Sequence, residues 1–231
     1  MKNWVSLQAK FECTVKMKYK VVIFDLDGTL IDSLEDLGEA VNYAMDLKGF
    51  PRHTLAEYRL MVGHGVRNLV MQALPAGHQA DDALVDECLS AFKTYYVAHI
   101  DVHTRPYPGM VELLERLHRS GVRLAVASNK FQSGTEHLVG RLFPGIPFVA
   151  ILGNREGYPL KPDPEIVGEV LRVANVSRSE AVLVGDSGTD MKTAENGGVR
   201  GVAVSWGYRV LEATSAITLV HSAQELSEVL L

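Results

Sequence analysis

The sequence predicts an α/β protein: a doubly wound parallel sheet with an inserted, all-helical subdomain. Three observations predict it. After a first apolar run at Val21-Val22-Ile23-Phe24, short apolar runs recur at residues 122–128, 148–152, 181–186, 201–205 and 217–220. They are apolar at successive rather than alternate positions, the pattern of strands covered on both faces. Helical stretches at 109–119, 132–142, 164–174 and 189–196 fall between them, the alternation of parallel βαβ units. One interval breaks the rhythm, because residues 33–103 show helical spacings and no strand-like run.

The first strand ends in Asp25-Leu26-Asp27-Gly28-Thr29, two carboxylates followed by a turn. Carboxylates at the C-terminal end of such a strand face the crevice where open α/β sheets bind ligands. They can hold a hard cation, attack an electrophile or move a proton.

The insertion then begins. Leu34, Leu37, Val41, Ala44, Met45 and Leu47 have helical spacing, and Gly49 closes the stretch. Thr54-Leu55-Ala56-Glu57 has the spacing of a capping box. Gly63-His64-Gly65 interrupts this second helix, and residues 66–74 resume it. After a loop at Pro75-Ala76-Gly77, residues 81–100 read as a long helix through Leu84, Val85, Cys88, Phe92, Tyr95 and Tyr96. The expected organisation is a core of residues 17–32 and 105–231 and a helical cap of residues 33–104. Its hinges fall at Asp32-Ser33 and at His103-Thr104-Arg105-Pro106. Residues 1–16 read as a lysine-rich extension outside the main fold.

Composition narrows the functional classes. The 231 residues are 47% hydrophobic and 22% charged, as in ordinary soluble globular proteins. A net charge of −5 provides no field for nucleic acid or an anionic membrane. No apolar run approaches a membrane span. Cys13 and Cys88 lack a Cys-x-x-Cys spacing, so reduced thiols and a cytoplasmic location are expected. An anionic substrate must therefore be attracted by local groups.

Those groups lie at the other strand ends. Ser128-Asn129-Lys130 offers a hydroxyl and adjacent backbone N–H groups to a phosphoryl oxygen, or forms a plain turn. Lys161 sits in Lys161-Pro162-Asp163-Pro164, where prolines restrict the chain and can hold a cation in place. Gly185-Asp186-Ser187-Gly188-Thr189-Asp190 adds two carboxylates after another apolar strand. With Asp25 they would supply a hard-cation site, and each separately could cap a helix. In the cap, Gly63 and Gly65 permit close backbone approach to a ligand. His64 could touch a leaving group and Arg67 could pair with a carboxylate or second phosphate, or both are simply solvated. His99 and His103, four apart, read as a solvated helix end.

Taken in order, Asp25-x-Asp27-x-Thr29, Ser128, Lys161 and Gly185-Asp186-x-x-x-Asp190 resemble the four motifs of the haloacid dehalogenase superfamily, from about residue 20 to the C-terminus. The insertion, Tyr107-Pro108-Gly109 and Ser128-Asn129-Lys130 resemble the subgroup that includes phosphoglycolate phosphatases. That resemblance implies a Rossmann-like core and a magnesium-dependent phosphatase of small phosphate monoesters, with phosphoglycolate the first expectation. It implies Asp25 as nucleophile, forming an aspartyl-phosphate, and Asp27 as general acid and base. It further implies Mg²⁺ held by Asp25, the Asp27 carbonyl and Asp186. Phosphoryl oxygens would be held by Ser128, Asn129 and Lys161. Asp190 would orient Lys161 or a metal-bound water, Thr29 would steady the loop, and the loop at Gly63, His64, Gly65 and Arg67 would set specificity. A sugar-phosphate mutase of the β-phosphoglucomutase type is the alternative, with dehalogenase activity and a non-catalytic phospholigand-binding protein behind it.

Overall fold

A computed structural model describes residues 18–214 and 217–231. The extension expected over residues 1–16 lies outside the described residues.

Strand β1 (Val21–Phe24) is followed by the two-residue β2 (Ile31–Asp32) and by four helices: α1 (Leu34–Leu47), α2 (Leu55–Met61), α3 (Val66–Ala73) and α4 (Asp82–His99). The chain returns through β3 (Arg105–Pro106) and continues α5 (Met110–Arg119), β4 (Arg123–Phe131), α6 (Gln132–Leu142), β5 (Phe148–Asn154) and α7 (Glu165–Ala174). It finishes with β6 (Ala181–Gly185), α8 (Gly188–Gly197), β7 (Arg200–Val204), β8 (Thr218–Val220) and α9 (Ala223–Leu230).

Six strands form one sheet in the order β5-β4-β1-β6-β7-β8. Every pairing in it is parallel. β1 is central, with Phe24 beside Val126 of β4 and Val184 of β6. The order reverses direction on either side of β1, so the strand ends beside it open a crevice.

The unbroken apolar runs follow from this placement. Val22 and Phe24 of β1 face one apolar cluster with Leu124, Val126, Val182 and Val184. Val21 and Ile23 face the other, with Ala125, Ala127, Leu183 and Val167. Successive side chains on a strand point to opposite faces, so a strand buried on both is apolar throughout. Helix α5 shows the complementary pattern. Met110, Leu113, Leu114 and Leu117 are buried, while Glu112, Glu115, Arg116 and Arg119 keep to the outer side.

Helices α1 to α4 form a cap joined to the core cluster. Leu37, Val41 and Met45 of α1 share it with Val85, Phe92 and Tyr96 of α4. Thr54 caps α2 through a capping box with Glu57, as its spacing predicts. The cap is entered and left by an antiparallel ribbon, Ile31 opposite Pro106 and Asp32 opposite Arg105. Buried Asp36 fastens the exit, accepting bonds from the His103 and Thr104 backbone N–H groups and from the Thr104 hydroxyl. Strand β4 and helix α9, like this ribbon, go beyond what the spacing predicts. Strand β4 continues to Phe131, so Ser128, Asn129 and Lys130 lie in extended chain rather than a turn. Helix α9 packs Leu226 and Leu230 into the core. No helix among the described residues is long and apolar enough to cross a membrane.

Candidate active site

The site starts at the end of β1. The Asp25 N–H donates to the Val184 carbonyl at 2.9 Å, extending the parallel pairing by one residue. The chain then turns sharply, with the N–H groups of Thr29, Leu30 and Ile31 converging on the Leu26 carbonyl. Gly28 makes the turn possible at φ 84°. A Cβ there would lie 2.5 Å from Asp186 Oδ2, so this glycine also lets the two loops meet.

Asp186 follows β6, and its Oδ2 accepts the Tyr208 N–H at 2.6 Å. Ser187 caps α8 in a reciprocal box with Asp190. One Asp190 oxygen takes the Ser187 hydroxyl at 2.6 Å, and the other takes Lys161 Nζ at 2.7 Å. Lys161 Nζ also lies 2.8 Å from Asp25 Oδ1. Its backbone is pinned by the Asn129 side chain, whose Oδ1 accepts the Lys161 N–H at 2.8 Å and whose Nδ2 donates to the Lys161 carbonyl at 3.1 Å. The same Nδ2 reaches the Gly63 carbonyl of the cap at 3.1 Å.

Asp27 has a different environment. The Ser33 hydroxyl donates to its Oδ1 at 2.5 Å, and Lys130 Nζ reaches both oxygens at 3.1 Å. Lys130 Nζ also donates to the Tyr96 hydroxyl of α4 at 2.7 Å. Spacing alone does not assign Lys130 a role. The available signal was its position two residues after Ser128, on the same face once the strand continues.

Electrostatics follow from crowding. Asp25, Asp186 and Asp190 present oxygens within 4.8 Å of one another. Burial, then the Asp190 charge, pushes the Asp186 carboxyl up to about 7. Burial also raises Asp25, against the pull of Lys161. Burial disfavours charge on Lys161 and Lys130. Asp190 and Asp25 outweigh it for Lys161, and Asp27 does so for Lys130, so both ammonium groups are held above the usual lysine range. Hard oxygens that repel one another in a buried cluster are a donor set suited to a hard divalent cation.

The cleft above these groups is lined by Asp25, Asp27, Ser128, Asn129, Lys161 and Asp186 from the core and by Val62, Gly63, Gly65 and Leu69 from the cap. It encloses a cavity of about 50 Å³, room for a few waters. Asp25, Asp27, Ser128, Asn129, Lys161, Asp186 and Asp190 therefore converge. Thr29 is buried beneath them; its carbonyl accepts the Trp206 indole N–H at 3.1 Å, and its hydroxyl has no partner among the described residues.

The cap residues divide. Gly63 and Gly65 line the cleft, at φ 120° and 82°, whereas His64 is exposed and does not line it. Arg67 does not line the cleft either. Its guanidinium turns to α4 and pairs with Asp82 at 2.7 Å and with Asp86. His99 bonds the Tyr95 carbonyl while exposed His103 approaches Glu35 and Glu39, so these two histidines face different partners.

The family model described as haloacid dehalogenase-like hydrolase matches residues 22–204. A phosphoglycolate phosphatase of Mesorhizobium japonicum is 36% identical over 193 residues, covering 83% of this chain and 85% of that protein. One from Pseudomonas savastanoi pv. phaseolicola is 38% identical over 193 residues, 82% of this chain and 70% of that protein. The crystal structure of a phosphoglycolate phosphatase candidate from Lactobacillus delbrueckii subsp. bulgaricus superposes with a TM-score of 0.85 at 34% identity, covering 93% of this chain and 99% of that one. The chain belongs to the haloacid dehalogenase-like hydrolase family, with a parallel α/β core and a helical cap.

Proposed function

We propose that this protein is a magnesium-dependent phosphatase that hydrolyses a small phosphate monoester, with phosphoglycolate as the first candidate. The observation that carries the reading is the unequal setting of two neighbouring aspartates. Asp25 lies in the carboxylate cluster against Lys161, whereas Asp27 is gripped by a hydroxyl and a second ammonium. Two acids with different environments suit two roles.

In this reading a carboxylate oxygen of Asp25 attacks phosphorus. A P–O bond forms as the bond to the ester oxygen breaks, and Asp27 delivers a proton to the departing alkoxide. Asp27 then takes a proton from the water that hydrolyses the aspartyl-phosphate, releasing inorganic phosphate and restoring Asp25. Ser128, the Asn129 backbone N–H and Lys161 hold the phosphoryl oxygens as charge spreads over them. Asp190 orients Lys161, and Thr29 steadies the turn. Asp25, Asp186 and the Asp27 carbonyl would hold Mg²⁺, which when bound neutralises charge on the phosphoryl group. The cap, residues 33–104, closes over the cleft about its two-stranded ribbon and excludes water during attack.

The names of the relatives support phosphoglycolate. A screen of phosphorylated metabolites with Mg²⁺, read by phosphate release, tests the proposal. Release from short monoesters is the expected result. Isomerisation of a hexose 1-phosphate without net release would favour the mutase instead.

A further inference from the structure

We infer that Arg209 reads a second anionic group on the substrate, so that the site selects phosphate monoesters carrying a carboxylate close to the ester oxygen. The inference deepens the phosphatase reading and rests on it.

Three cationic side chains line the cleft: Lys130, Lys161 and Arg209. The lysines are already paired. Lys130 lies against Asp27, and Lys161 bridges Asp25 and Asp190. Arg209 contacts no carboxylate among the described residues. Its Nη2 donates at 2.8 Å to the Val62 carbonyl, a neutral acceptor. The other guanidinium N–H groups have no partner among the described residues. A guanidinium offers five donors in a planar fork that matches a carboxylate bidentately. A half-buried one bonded only to a carbonyl retains most of that capacity for an incoming anion.

Its place in the fold fits such a task. Arg209 follows Tyr208, whose N–H is bonded to Asp186 at the heart of the carboxylate cluster. Its far end touches Val62, next to Gly63, which Asn129 holds from the core side. The guanidinium thus sits where core and cap meet at the cleft. The cap's own contributions here are apolar or glycine: Leu37, Val62, Gly63, Gly65, Val66 and Leu69. None can meet a negative charge with a side-chain donor, and Arg67 is occupied on α4. Arg209 lines the same cleft as Asp25, Ser128 and Lys161, so one small ligand can meet both the phosphoryl-binding groups and this guanidinium.

Binding, rather than turnover, tests this cleanly. Calorimetric titration of the Asp25→Asn protein with Mg²⁺ would compare 2-phosphoglycolate with 2-hydroxyethyl phosphate, a ligand of similar length with a hydroxyl in place of the carboxylate. The Asp25→Asn protein is expected to prefer phosphoglycolate. Adding Arg209→Gln should weaken phosphoglycolate about 10- to 100-fold, the range for a charged hydrogen bond, and leave hydroxyethyl phosphate within about twofold. Arg209→Lys keeps the charge and loses the fork, so it should weaken phosphoglycolate several-fold only, and it carries the comparison should Arg209→Gln fail to fold. Equal weakening of both ligands would reduce Arg209 to a clamp between core and cap and overturn the inference. So would a preference that survives the substitution or is absent from the start. A wild-type chain that binds and discriminates yet releases no phosphate would count against the phosphatase reading and leave Arg209's role standing.

Discussion

Lys130 Nζ stands 3.1 Å from each carboxylate oxygen of Asp27 and 2.7 Å from the Tyr96 hydroxyl. The lysine comes from a strand beside β1, and the tyrosine from the last helix of the cap. The proposed general acid is therefore oriented by a buried cation that itself contacts the cap. Lys130→Met should misplace Asp27 and slow the step that needs a proton on the leaving group. Turnover of an alkyl phosphate is expected to fall by about 10²-fold or more, within the range for general acid catalysis. Turnover of p-nitrophenyl phosphate, whose leaving group needs no proton, should fall much less. Equal losses on both esters would remove Lys130 from this role. The variant also leaves a buried carboxylate without its ammonium, so a lowered melting temperature is expected, consistent with about 3–5 kcal/mol for breaking a buried pair.

Asp25→Asn separates attack from proton transfer. The amide fills the same space but is a poor nucleophile, so both alkyl and aryl phosphates should lose turnover by about 10³-fold or more. Asp27→Asn should show the opposite selectivity, with the heavier loss on alkyl phosphates. Steady-state phosphate release with the two ester classes reads both. Substantial turnover of either ester by Asp25→Asn would reject it as the nucleophile.

Arg67→Gln is expected to leave kcat and KM for every substrate within about twofold. Its partners, Asp82 and Asp86, hold it on the α3–α4 surface, and exposed pairs of this kind contribute little because solvent screens them. A large rise in KM confined to carboxylate-bearing substrates would return Arg67 to the cleft and remove the reason for assigning that task to Arg209.

The contrast between these arginines shows where sequence reading stops. The β1, β4 and β6 runs are legible because strands buried on both faces must be apolar throughout. Asp25, Asp27, Lys161, Asp186 and Asp190 are legible because each follows such a run or sits between two prolines, and strand ends of a parallel sheet share one edge. Lys130 was not legible, since its task depends on β4 continuing past Ser128 and on Tyr96 arriving from the cap. Arg67 stood beside two glycines and Arg209 beside an aromatic turn, but spacing does not say which carboxylates lie opposite a guanidinium. Asp82 and Asp86 reach Arg67 only after the cap folds. The β2–β3 ribbon escaped for a simpler reason: two-residue strands are too short to show any period.

Magnesium should stabilise the protein more at pH 8 than at pH 6. Burial holds the Asp186 carboxyl at about 7 and raises Asp25, both above their ordinary values. A carboxyl with a raised folded-state pKa binds its proton more tightly when folded than when unfolded. Its contribution to stability is therefore present at low pH. It is lost as pH rises from the unfolded value of about 4 through the folded value. Above that window the metal-free protein holds repelling carboxylates in its core, and a divalent cation relieves them. Below it, protons compete with the cation for the same oxygens. Thermal melts with Mg²⁺ and with a chelator, at both pH values, read the difference directly. The gain in melting temperature from Mg²⁺ should be clearly larger at pH 8, and Asp186→Asn should reduce it. A gain that is equal at the two pH values, or that survives Asp186→Asn unchanged, would place the cation somewhere other than this cluster.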